Sequence, residues 1–254
     1  MTTPEIAAAI DQGLAGKRVL VTGGTKGIGR VTTLAFAHSG ASTVTCYHTH
    51  SGAADSLTRE LAGLGGKHKV VRADVTDAAQ VAALVDETRN ALGGLDVLVN
   101  NTGVDHVVSF EDLTLPAWQH VVEHNITSVY LVTQAALALM SDGGSIITIG
   151  SSAALRGRAR GVHYTTSKAA LIGFTRALCK DVGSRGIRVN AVAPGLTETV
   201  PGAGLPPDAV QRIVGMTALG RICQPADVAG AVLFLAGDTS RYISGATLNV
   251  DGGV

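Results

Sequence analysis

The chain has no charge of one sign to spare. Lys and Arg number 20 and so do Asp and Glu, for a formal net charge of zero over 254 residues. No electrostatic field therefore recommends nucleic acid or an anionic membrane as a partner. Cysteine is scarce: Cys46, Cys179 and Cys223 form an odd, widely spaced set that makes neither a disulfide frame nor a metal-ligand cluster, so reduced thiols and no metal site are expected. No stretch reaches the roughly 18 apolar residues that a bilayer span requires. The first sixteen residues carry Glu5 and Asp11 and lack a basic stretch leading into an apolar run, so a cytoplasmic location is expected. Linkers, internal repeats and low-complexity tracts are also missing, which favours one domain over residues 1–254.

What is present is alternation. Strand-like runs at Arg18–Thr22, Thr43–Tyr47, Lys69–Arg72, Leu95–Asn100, Ser145–Ile149, Arg188–Val192 and Thr247–Val250 are separated by helical patterns. Those patterns cover Gly27–His38, Ala53–Leu64, Ala78–Leu92, Pro116–Met140, Tyr164–Val182 and Pro225–Leu235. Strands alternating with helices imply right-handed βαβ crossovers. The expected fold is α/β: a single-domain Rossmann fold whose doubly wound, seven-stranded parallel sheet carries helices on both faces. One long irregular stretch, Gly195–Gly220, is rich in Gly and Pro and reads as a substrate-binding loop or lid.

Thr22-Gly-Gly-Thr-Lys-Gly-Ile-Gly29 follows the first strand and opens the first helix. Glycines at 23, 27 and 29 let the backbone approach a pyrophosphate, and the helix N-terminus offers free N–H groups and a positive dipole. A tight strand-to-helix turn also wants glycine, but this position favours a nucleotide site. Asp74 and Asn100-Asn101-Thr102-Gly103 end the third and fourth strands, at the sheet edge where such folds bind ligands. For Asp74 a turn or N-cap role is equally open.

Tyr164 and Lys168 stand four apart on one helix, hence on one face. A tyrosine titrates near 10 when free, and a nearby cation favours phenolate and brings the group toward working pH. Ser151, at the end of the fifth strand and thirteen residues before Tyr164, reaches the same edge. No G-x-S-x-G elbow is present, so hydrolase chemistry has little support.

Together these motifs resemble the short-chain dehydrogenase/reductase family, over nearly the whole length. Thr22-Gly-x3-Gly-x-Gly29 matches its cofactor loop, and Asn100-Asn-Thr-Gly103 its N-N-A-G element with Thr102 replacing alanine. Asn125 sits at its helix asparagine; Pro194-Gly195 and Val250-Asp-Gly-Gly253 match its later elements. The resemblance implies that Tyr164 is the proton donor for ketone reduction, that Lys168 lowers its pKa and holds the nicotinamide ribose, that Ser151 positions the carbonyl oxygen and that Asn125 keeps a water in a proton relay. It also implies a cofactor site made of Gly23, Thr25, Lys26, Gly27, Ile28, Gly29, Tyr47, His48, Asp74, Val75, Asn101, Gly103, Pro194, Gly195, Thr197 and Thr199, with Asp74 and Asn101 flanking adenosine and Thr199 at the carboxamide. The apolar faces of the helices at Pro116–Met140 and Tyr164–Val182 resemble those the family pairs in a homotetramer.

The expected cofactor is NADPH. An acid that binds the adenosine ribose hydroxyls usually ends the second strand of NAD-selective domains. Here that place holds Tyr47, then His48, and Lys26 puts a cation in the phosphate loop. The expected substrate is a small-molecule ketone (3-oxoacyl, polyketide or cyclic). An acyl-carrier partner has no supporting residue, since Asp142 is not the base an acidic carrier would want. An NAD-dependent alcohol dehydrogenase and a non-catalytic dinucleotide-binding regulator are the alternatives. Arg156, Arg158 and Arg160 read as a solvated loop, or more sharply as contacts for an anionic substrate group. His106 and His163 are loop histidines near the substrate side, and Trp118 reads as helix packing.

Overall fold

A computed structural model describes residues 12–199 and 207–254. Seven strands run parallel in the order β3-β2-β1-β4-β5-β6-β7. They are β1 (Arg18–Val21), β2 (Ser42–Tyr47), β3 (His68–Arg72), β4 (Leu95–Asn100), β5 (Met140–Ile149), β6 (Arg188–Pro194) and β7 (Thr247–Val250). The helices are α1 (Gly27–His38), α2 (Ser51–Ala62), α3 (Ala78–Leu92), α4 (Leu115–Val122), α5 (Ser128–Leu137), α6 (Ala153–Arg156), α7 (Val162–Asp181), α8 (Pro207–Met216) and α9 (Pro225–Ala236). The order reverses between β1 and β4, which leaves a crevice at their carboxyl ends where a doubly wound sheet takes its ligand.

Alternation along the central strands builds two cores. Leu20, Leu98, Ile146 and Val189 join Val81 and Leu84 of α3 and Val132 and Ala136 of α5 in one buried cluster. Their strand neighbours Val19, Val21, Val97, Val99, Ile147 and Val192 join Phe36 of α1 and Val228, Val232 and Leu235 of α9 in another. Apolar side chains on both faces are what a sheet covered on both sides requires. The expected single-domain Rossmann architecture is therefore the one observed.

Several boundaries differ from the sequence reading. The helix expected over Pro116–Met140 divides at a π-helical turn, Glu123–Thr127, and stops at Leu137. The wide turn carries Asn125, whose side chain bonds the Val104 backbone. Strand β5 starts at Met140, which pairs with Leu95 before an irregularity that holds Asp142. Gly195–Gly220 is not wholly irregular: α8 lies inside it, opening with Pro207 and then Asp208, a helix-start pattern that its Gly and Pro content masked. Residues 200–206 of that stretch lie outside the described residues. Among the described residues no helix is long and apolar enough to cross a membrane.

Candidate active site

The crevice at the carboxyl edge is a cavity of about 640 Å³. Its floor is the glycine loop. Gly23 and Gly27 have φ of +64° and +51°, conformations that side chains strain to adopt. A Cβ on Gly29 would stand 2.4 Å from the Gly23 carbonyl and 2.5 Å from the Asn101 amide nitrogen. Asn101 is the reason the loop is tight. Its amide donates to the carbonyls of Thr22 (2.9 Å) and Gly23 (3.2 Å), while Thr22 Oγ1 accepts from the backbone N–H groups of Asn101 and Thr102. Asn101 thus lines the cavity and also fastens β4 to the loop, a job its proposed adenosine role did not include.

The same loop ends in α1, whose N-cap Lys26 makes no side-chain cap and whose first turn holds no acid. Gly27, Ile28 and Gly29, the first residues of α1, line the cavity, and the N–H groups of a helix's first turn have no intrahelical partner. A diphosphate fits that cradle in charge and in space. Thr25 is buried just beneath it, and Lys26 is exposed at the rim.

Tyr164, Lys168 and Ser151 meet on the opposite wall. Ser151 follows β5 and lines the cavity beside Tyr164; its hydroxyl accepts from Ala153 N–H at 3.2 Å and acts to lower the phenol's pKa. Lys168 is buried, donates to the Ile149 carbonyl at 2.9 Å, and is pulled down to about 8 by desolvation, against a smaller opposing pull from Asp105. Asn125 is fully buried; its oxygen accepts from Val104 N–H at 2.7 Å and its nitrogen donates to Val104 O and Ser167 Oγ. A Cβ on Gly103 would lie 3.1 Å from both Asn125 Oδ1 and Lys168 Nζ, so those two groups flank one small space.

Lys168 is expected to lower the pKa of Tyr164; burial first, with Asp105, pushes the phenol above its ordinary value, against opposing pulls from Ser151 and Arg158. Two cations stand near the ring: Lys168 Nζ, which donates to the Ile149 carbonyl, is 5.9 Å from the centroid, and the Arg158 guanidinium carbon is 4.7 Å from it. Arg158 is half-buried and joins Asp105 through two 2.6 Å hydrogen bonds, which corrects the solvated reading for Arg158, while Arg156 and Arg160 are exposed as expected. Arg156 lines the cavity, exposed.

Pro194, Gly195, Thr197 and Thr199 close the side formed by β6. Of the residues expected at the adenosine end, Asn101 lines this cavity, whereas Tyr47, His48, Asp74 and Val75 do not. Tyr47 ends β2, His48 is exposed, and Val75 is packed into the core. Asp74 is a turn residue: its Oδ1 accepts from Thr76 N–H (2.9 Å) and Oγ1 (2.7 Å), and its Oδ2 is 3.7 Å from His48 Nε2. Burial opposes ionisation of Asp74, but the Thr76 bonds and His48 outweigh it and hold the carboxyl below its usual range. Sequence reasoning missed Arg72, which pairs in register with Tyr47 and donates to the His48 carbonyl at 3.2 Å. His163 is buried with no partner on either ring nitrogen, against the His106 ring at 5.8 Å; neither lines the cavity. Trp118 is half-buried on α4.

Comparison with known proteins agrees with this geometry. Residues 23–254 match a family model described as enoyl-(acyl carrier protein) reductase. A 3-oxoacyl-[acyl-carrier-protein] reductase of Synechocystis is 39% identical over 238 residues, 92% of this chain and 95% of its own. A 3alpha-hydroxysteroid dehydrogenase of Mediterraneibacter gnavus is 36% identical over 247 residues, 94% and 97% of the two chains. The crystal structure of a short chain dehydrogenase from Burkholderia cenocepacia in complex with NADP superposes with a TM-score of 0.89 at 38% identity, covering 96% of this chain and 99% of that one. A glycine loop facing a buried Lys beneath a Tyr and Ser at one sheet edge, over a chain matched from end to end by such relatives, places this protein in the short-chain dehydrogenase/reductase family of oxidoreductases.

Proposed function

We propose that the protein is an NADPH-dependent ketone reductase in which Tyr164 protonates the carbonyl oxygen. One observation carries the reading: Tyr164, Ser151 and Lys168 line the same cavity as the glycine turn at Gly27–Gly29. When bound there, a nicotinamide cofactor supplies the hydride. The chain's residues supply the rest. Ser151 holds the carbonyl oxygen beside the phenol. Tyr164, its pKa raised by burial, stays protonated at neutral pH and is a donor in the reducing direction. Lys168 and Asn125 flank the small space beside Gly103 from which a water can return the proton.

The 2′-phosphate of NADPH would meet Lys26 and Arg72, with no acid at Tyr47 or His48 to repel it. The Burkholderia relative binds NADP, which supports this choice. The candidate substrates are 3-oxoacyl, polyketide and cyclic ketones; relatives acting on a 3-oxoacyl carrier and on a hydroxysteroid support a ketone without selecting one. The segment 195–220, with Leu196 and Ile213 on the cavity, is assigned as the substrate loop. The reading includes a cytoplasmic homotetramer joined along α4, α5 and α7, where Leu115, Tyr130 and Val162 are exposed apolar side chains. The test is NADPH absorbance at 340 nm with a ketone panel. Tyr164→Phe should lower turnover by roughly 10²–10⁴ while retaining cofactor binding. Near-normal turnover in that variant refutes the mechanism.

A further inference from the structure

We propose that Arg158, clamped by Asp105 across the face of Tyr164, is a positioning residue that holds the negative charge left on the tyrosine oxygen when its proton goes to the substrate. The inference rests on Tyr164 as proton donor. In that step the O–H bond of Tyr164 breaks, the proton joins the carbonyl oxygen as hydride joins the carbonyl carbon, and the electron pair stays on the phenol oxygen. A phenolate in a buried site needs a cation.

Lys168 is the expected cation, 5.9 Å from the ring centroid; the Arg158 guanidinium carbon, at 4.7 Å, is a second one, over the face of the ring. Cations within about 6 Å of an aromatic face are attracted to it, more strongly when water is excluded. The other charged or titratable groups around the ring are Asp105 from the segment after β4 and Lys168 of α7, with Arg156 on the same cavity wall and His163, stacked edge-on with His106, next to Tyr164 in the chain. Asp105 favours the protonated phenol; its fork of two 2.6 Å bonds spans 53 residues and fixes the guanidinium in place.

Three features that each cost stability converge on this placement. Arg158 Nε is buried without a hydrogen-bond partner. Arg160, two residues on, is the one non-glycine residue with positive φ (+56°) among the described residues, and its carbonyl accepts from Val108 N–H. Gly161 leaves the room, since a Cβ there would stand 2.6 Å from Arg158 Nε and Nη2. A surface ion pair whose only work was to join two loops would need none of them.

The experiment follows Tyr164 itself. The chain has four tyrosines, so ¹³Cζ-tyrosine labelling gives four resonances, and the one missing in Tyr164→Phe belongs to Tyr164. It is titrated in NADP⁺-loaded wild type, Arg158→Met and Arg158→Lys. The ionisation constant should fall about two- to thirtyfold in Arg158→Met, the range a cation over an aromatic face is worth, and less in Arg158→Lys. The basic limb of ketone reduction should move to higher pH in step. Arg158→Gln, which keeps donors toward Asp105 but no charge, should give the same displacement and serves if Arg158→Met does not fold. A Tyr164 titration that moves less than twofold in a folded, uncharged variant overturns the proposal. If Tyr164→Phe stays active, the donor reading fails; if it is inactive and the titration is unmoved, only the role of Arg158 fails.

Discussion

Burying Lys168 should destabilise the protein that depends on it. The ammonium is 5% exposed and makes one hydrogen bond, to the Ile149 carbonyl. Desolvation brings its pKa from 10.5 to about 8. A drop of that size corresponds to a cost on the order of 3 kcal/mol for carrying the proton in the folded state. The cost is complete below pH 8, where both folded and unfolded chains are protonated. Between about 8 and 10.5 the unfolded chain binds a proton that the native chain does not, so stability rises with pH, and above that window the cost is gone. Lys168→Met keeps the unbranched stem and removes the charge, but leaves the Ile149 carbonyl without its donor, at about 1–2 kcal/mol. The variant should therefore be more stable than wild type by about 1–2 kcal/mol at pH 7 and less stable near pH 10.5, while losing activity. Urea unfolding of cofactor-free protein at equal protomer concentration, at both pH values, measures the crossover. A variant less stable at pH 7, or a difference that ignores pH, refutes the reasoning.

Three further outcomes are expected. Gly29→Ala forces a Cβ against the Gly23 carbonyl and the Asn101 amide, neither of which can withdraw, so NADPH affinity measured by calorimetry should fall at least tenfold, and unchanged affinity contradicts the cradle. Lys26→Ala should weaken NADPH selectively, by about 1.5–3 kcal/mol, and Tyr47→Asp should shift preference toward NADH; equal kcat/KM for both cofactors in the unmodified enzyme contradicts the choice of NADPH. Light scattering after size exclusion should give the mass of four 25.8 kDa chains, and Leu115→Lys should lower it; a monomer in the unmodified protein removes the tetramer.

Much of this molecule is legible from the chain because its signals are local. Glycines at 23, 27 and 29 sit at fixed covalent spacing between a strand and a helix, and Tyr164 and Lys168 share a helix face for the same reason. Alternating apolar runs specify strands, and the loops between them are too short to allow many connections. The breaks were harder to read. A π-helical turn at Glu123–Thr127 carries no strong compositional mark, and helix α8 was hidden by the Gly and Pro around it.

The sequence by itself determined the doubly wound sheet, the glycine turn after its first strand, and the placing of Ser151, Tyr164 and Lys168 with that turn at the carboxyl edge. Tertiary structure alone decided how those side chains are charged and coupled. Asp105 meets Arg158 because the segments after β4 and β5 emerge side by side, and Arg72 reaches His48 because β2 and β3 pair in register. Lys168 is buried and donates to the Ile149 carbonyl of β5, a partner that only the packing of α7 on the sheet supplies. Spacing along a chain is covalent and can be counted, whereas burial, and the distances between residues far apart in sequence, exist only once the sheet has brought the strands together.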